Sequence, residues 1–164
     1  MDPKIVSREG FRVMGIIGHF SSAGENFGPL WQDYMKVHEV IEPMGAGPGH
    51  YGVYLAADHS QQLNYLAGMA VRADATASVD AAAPEVIETR DVPAATYAVF
   101  GCEFKDLGPT YGFIWDEWLA ASDYEQDADA FGFDFYAPNT ESAESPVQIW
   151  FPVRRKSGQI ATRT

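Results

Sequence analysis

The chain repeats itself, and the repeat limits what it can fold into. PKIVSREGFRVMGIIGHF from Pro3 is echoed by PEVIETRDVPAATYAVFGCEF from Pro84, an offset of 81. Each run is a strand-like stretch that opens with Pro, is interrupted by a polar turn (Arg8-Glu9, Arg90-Asp91) and resumes with β-branched and small residues. GPLWQDYMKVHEVI from Gly28 is answered by GPTYGFIWDEWLAAS from Gly108, both opening on the Gly-Pro of a helix start. Matching Trp31 to Trp115 requires an offset of 84. A third run, YGVYLAAD from Tyr51, aligns with GFDFYAPN from Gly132, again at 81, and LNYLAGMAVR aligns with VQIWFPVRR. Each half therefore reads β-α-β-β.

A unit of that length is too small to cover its own sheet face. Two copies about a pseudo-twofold axis bury the face and leave a groove lined from both halves. The fold class expected is α+β: a duplicated β-α-β-β repeat, antiparallel, with two main helices and a central groove. One domain spans residues 1–155, with repeat one at about 3–72, an Ala-rich linker at about 73–83 and repeat two at about 84–155. Residues 156–164, which carry no apolar period, are expected to form a mobile tail.

Alternation sorts the strand residues by face. In VQIWFPV, Val147, Ile149, Phe151 and Val153 form an apolar face suited to lie under helices, and Gln148, Trp150 and Pro152 face the other way. In FGFDFYAP, Phe131, Phe133 and Phe135 form the core face, leaving Asp134 and Tyr136 opposite. If the two strands form a hairpin, Asp134, Tyr136 and Trp150 share one side, and the first half offers Tyr51, Val53 and Leu55 on the corresponding strand. A carboxylate among apolar neighbours is costly unless something pairs with it. Ringed by aromatic faces, it suits an organic cation, to which each ring contributes about 0.5–2 kcal/mol. The alternative is a half-exposed acid on a solvated sheet face.

Charge narrows the partners. The chain carries a net charge of −12, and no basic residue lies between Lys105 and Arg154. Such a chain repels nucleic-acid phosphates and anionic membranes, so direct binding to either is not expected. Cys102 is the only cysteine, which excludes an internal disulfide. With no secretory pattern at the N-terminus, a cytoplasmic protein is expected. His19, His38, His50 and His59 lack metal-ligand spacing, the acids of DYEQDADAFGFD lack the Gly and Glu of a calcium loop, and GAGPGH leads into a strand. No metal and no cofactor is expected.

The duplicated β-α-β-β, YGVY, FDFYAP and the final IWFPV resemble the GyrI-like small-molecule-binding domains, the bacterial effector-binding domain of AraC-type and MerR-type regulators, over residues 3 to 155. The resemblance implies binding of small hydrophobic, often cationic compounds between the repeats. For some stand-alone members it implies hydrolysis of cyclopropane-containing natural products. It places Asp134 where the family usually has Glu, the central anion of binders and the catalytic acid of hydrolases. It puts Tyr136 on the pocket wall, Trp150 on a site often held by Tyr, Tyr51 on an aromatic of the first repeat, and Tyr111 and Phe104 on further pocket aromatics. Trp115, at the helix, borders the groove. The leading expectation is a stand-alone binder of hydrophobic cations, and the alternative a hydrolase using Asp134 with Tyr51 and Tyr111. A third is an interaction protein or homodimer whose acidic half docks a basic partner.

Overall fold

The computed structural model describes residues 2–21, 26–55, 63–77 and 86–157. The first half supplies β1 (Lys4–Arg8), β2 (Phe11–Phe20), α1 (Gly28–Ile41), β3 (His50–Leu55) and β4 (Leu63–Val71). The second supplies β5 (Glu88–Val92), β6 (Ala95–Glu103), α2 (Leu107–Phe113), β7 (Tyr124–Gln126), β8 (Gly132–Tyr136) and β9 (Pro146–Arg155). All pairings are antiparallel, in the order β1-β6-β9-β8-β3-β4-β2-β5, and β7 adds to the end of β9. Exchange β1 with β5, β2 with β6, β3 with β8 and β4 with β9, and the order reads backwards onto itself. That is the pseudo-twofold expected of a duplication.

Each half lends its first strand to the other: β1 pairs with β6, and β5 with β2. The sheet must also curl. Glu9 and Gly10 alone join β1 to β2, and Pro93 and Ala94 join β5 to β6. Such links reach about 10 Å, while a flat path would part β1 from β2 by roughly 29 Å. Ring contacts confirm the bend. Phe11 of β2 lies 5.4 Å from Phe133 of β8, with β4 and β3 standing between their strands. The concave face holds its own core, including Val13, Val53, Leu66, Tyr97 and Phe133.

The helices cover the convex face. Leu30, Tyr34, Val37 and Ile41 form the buried stripe of α1, at the spacing that keeps one helical face inward, and pack with Met14, Tyr65 and Met69. On the second half, Ile114 is buried against Phe100, Ile149 and Phe151. There α2 continues through a π-helical turn (Ile114–Trp118) into a last turn (Leu119–Ala121). A π-helical turn holds one residue more than an α-turn, so it changes which side chains face the sheet.

Two expectations about connections meet the structure in part. Ala75, in the Ala-rich linker, is buried in the first core, and its carbonyl accepts a bond from Arg12 at 2.8 Å; residues 78–85 lie outside the described residues. At the start of the expected tail, Lys156 donates to the carbonyls of Leu119 and Ser122 at 2.9 and 2.7 Å. The remainder, 158–164, is again outside them. No helix among the described residues is long and apolar enough to cross a membrane.

Candidate functional site

The strands β3 and β8 form the central pair of the sheet, and there Gly52 lies directly opposite Asp134. Across β9, Asp134 pairs with Ile149, a member of the helix-covered core. The carboxylate therefore lies between sheet and helices and is 1% exposed. Two phenols hold it. Tyr54 on β3 donates to Oδ2 at 2.9 Å, and Tyr111 on α2 donates to Oδ1 at 2.5 Å. One donor comes from each half. Neither a lysine nor an arginine pairs with the acid among the described residues.

Burial dominates the electrostatics. Loss of water raises the carboxyl pKa to about 7, against the downward pull of the Tyr111, Tyr54 and Tyr136 hydroxyls. Burial, followed by the field of Asp134, also pushes the Tyr54, Tyr65 and Tyr111 hydroxyls above the phenol range. Tyr136 is raised by burial, then by Tyr65 and Asp134. All four stay protonated, and Tyr54 and Tyr111 donate to the acid.

In front of Tyr54 and Tyr111 opens a cleft of about 560 Å³, walled also by Leu55, Leu63, Trp115 and Phe151. Residues of both halves line it, within the size range of small-molecule sites. Asp134 is not in the wall; it sits behind the two phenols. Trp115 stands at the cleft on the π-helical turn, 50% exposed and edge-on to Phe151 at 5.2 Å.

The structure divides the expected site residues between two faces. Tyr111 touches Asp134 and shares the cleft with Trp115, and Tyr136 is buried on the same face, 5.3 Å from Trp31. Tyr51 and Trp150 do not join Asp134. Trp150 pairs with Phe133 and stacks on it at 5.3 Å, so its indole packs on the concave side although the residue touches the cleft. Tyr51 is concave too, its hydroxyl accepting from Arg8 at 3.1 Å. Phe104 is 45% exposed beside Tyr136 at 6.0 Å and lies outside the cleft wall.

The error lies in one residue of alignment. An offset of 82, not 81, carries the pair Gly52–Ala67 onto Asp134–Ile149. A slip of one residue along a strand turns every side chain to the other face. Corrected, it is Tyr54 and not Tyr51 that lies on the face of Asp134. Tyr54 was missed for this reason, and with it Tyr65, its partner on β4.

Tyr65 is the unusual member. Its hydroxyl is buried with no hydrogen bond of normal geometry, Trp31 and Tyr136 being its polar neighbours, and it fills the space of a side chain at position 52, where a Cβ would lie 1.9 Å from it. Leaving a buried hydroxyl unpaired costs about 1–3 kcal/mol. Tyr65→Phe is therefore expected to raise stability by about 1 kcal/mol, or roughly 2–4 °C in Tm; a drop in the melting curve would show that the hydroxyl is satisfied in solution. Cys102 is half-buried, and burial raises its thiol pKa. Among the described residues no group of three His, Cys, Asp or Glu could hold a metal; His59 lies outside them. In the acidic run, the Asp127 carboxylate accepts the Asp129 N–H at 3.0 Å, closing a turn.

The family model of the GyrI-like small molecule binding domain matches residues 1–154. No curated relative matches the sequence. The fold is similar to that of SAV2435 bound to tetraphenylphosphonium, with TM-score 0.72, 15% identity and 94% of each chain covered. It is also similar to the EcmrR C-terminal domain, with TM-score 0.61 and 12% identity over 94% of this chain and 98% of that one. A hydrolase from Listeria innocua shares it with TM-score 0.55 and 12% identity over 93% and 92%.

Proposed function

The chain belongs to the GyrI-like small-molecule-binding family, and on that premise we propose that its cleft binds hydrophobic organic cations, with Asp134 supplying the opposing charge. One observation carries the reading: a buried carboxylate without a cationic partner among the described residues stands behind an aromatic cleft. An unpaired buried charge is unfavourable, and a bound cation removes the deficit. Capture of tetraphenylphosphonium by SAV2435 supports the same use of the fold. Titration with a rhodamine or triarylmethane dye, followed by fluorescence, tests it; no saturable binding at micromolar dye would end the proposal.

The pH dependence has a definite sign. A cation binds the ionised acid, so below about pH 7 a proton must leave before the complex forms. Affinity is expected to climb by up to about tenfold per pH unit between pH 5 and 7 and to level off above. Calorimetry in buffers of different ionisation enthalpy should detect the released proton. A flat profile would mean that Asp134 does not couple to the ligand.

A hydrolytic use of the site is a second reading, favoured by an acid that titrates near neutrality. Water would attack a ring carbon of a strained-ring electrophile and pass a proton through Tyr111 or Tyr54 (rather than Tyr51) to Asp134; one ring bond breaks, and the atom that keeps its electron pair takes that proton back. Loss of such a compound by mass spectrometry, absent with Asp134→Asn, separates turnover from binding.

A further inference from the structure

We infer that the cleft selects cations that carry N–H donors, protonated amines above all, over quaternary ammonium or phosphonium cations of the same body. The inference rests on the cation-binding reading of the cleft and adds a basis for choice within it. Asp134 is 1% exposed and absent from the cleft wall, so a ligand meets Tyr54 and Tyr111 first. Their hydroxyl protons are committed to Oδ2 and Oδ1 of the acid. A phenol that has given its proton to a carboxylate offers only oxygen lone pairs to a third group, and the bond to the anion makes that oxygen a better acceptor. The rings meet edge-on with centroids 5.9 Å apart, so the two oxygens converge on one carboxylate from different elements.

Among the other side chains of the wall, Leu55, Leu63 and Phe151 carry no acceptor, and the Gln126 amide oxygen is an acceptor with no carboxylate behind it. An N–H⁺ can bridge to a phenol oxygen and through its proton to the acid, a charge-assisted chain. A cation shielded by four carbon substituents has no proton to place there and is held only by ring faces and the distant charge. Tyr54 and Tyr111 are thus specificity-determining residues, and Asp134 acts through them.

The test uses the full chain at about pH 8 with a matched pair of probes. One is a naphthylethyl dimethylamine, protonated at that pH, and the other its N-methylated trimethylammonium counterpart. The dimethylammonium probe is expected to bind at least roughly tenfold tighter. That ratio should fall below about threefold in Tyr54→Phe and in Tyr111→Phe, whatever the absolute affinities. Equal affinity of wild type for the two probes, with both lost in Asp134→Asn, overturns this inference and leaves cation binding standing. Failure of both probes and of tetraphenylphosphonium to bind overturns the cation reading itself.

Discussion

Asp134→Asn is expected to weaken binding of lipophilic cations by roughly 30- to 100-fold, and also to stabilise the ligand-free protein above neutral pH. The first effect is the loss of a buried counter-charge, about 2–3 kcal/mol. The second follows from linkage. An acid whose pKa rises from 3.8 to about 7 on folding binds its proton more tightly in the native state. Native stability therefore declines as pH climbs from about 4 to 7 and stays low beyond, by a total of order 4 kcal/mol. Asparagine keeps the shape, accepts one phenol proton and does not titrate. Its advantage should open across that window and reach several degrees of Tm by about pH 8. Melting curves from pH 4 to 9 and dye titrations on the same samples check both halves. Undiminished affinity would remove Asp134 from the site, and an Asn variant less stable at pH 8 would show that the acid is not buried as an ion.

Gly15→Ala should produce the largest loss of stability. Gly15 on β2 faces Gly68 on β4 in register, and the strands approach so closely there that a Cβ on Gly15 would lie 2.0 Å from the Ala67 carbonyl oxygen and 2.6 Å from Gly68 Cα. These are backbone atoms of two paired interior strands, with no flexible side chain to yield. Overpacking of this kind costs about 3 kcal/mol or more, which for a chain of this size lowers Tm by roughly 6–12 °C. Gly101→Ala is the control. Nothing lies within 4 Å of its Cβ position, so it should be neutral or slightly stabilising. Equal behaviour of the two variants would contradict the close β2–β4 approach.

Much of this fold was legible because duplication writes the same element twice. Gly-Pro before two helices, Pro before two strand-like runs and matching β-rich segments gave most of the element order. The exchange of β1 and β5 between halves was not legible, because strand pairing over such separations leaves no local trace in sequence. Neither was the curl, which is a property of the closed strand path rather than of any strand. At the site, Asp134 could be found as an acid inside an apolar run, and Tyr111 through the resemblance. Tyr54 could not, because periodicity fixes faces within a strand but not the phase between two strands. Glycine at 52 weakened the signal further, since it has no side chain to declare which way it faces. Trp150 was misjudged for the same reason, as its strand was phased against β8 without the pairing that sets Phe133, not Asp134, beside it.

Because Gly52 and Asp134 meet across the axis, two identical half-length chains could assemble this sheet as a homodimer but could not furnish this site. An acid on both would set like charges about 5 Å apart, and each would suppress ionisation of the other. Glycine on both would leave no anion at all. Joining the halves in one polypeptide frees the two positions to diverge: one keeps the carboxylate, and the other becomes the space into which the Tyr65 ring inserts its hydroxyl.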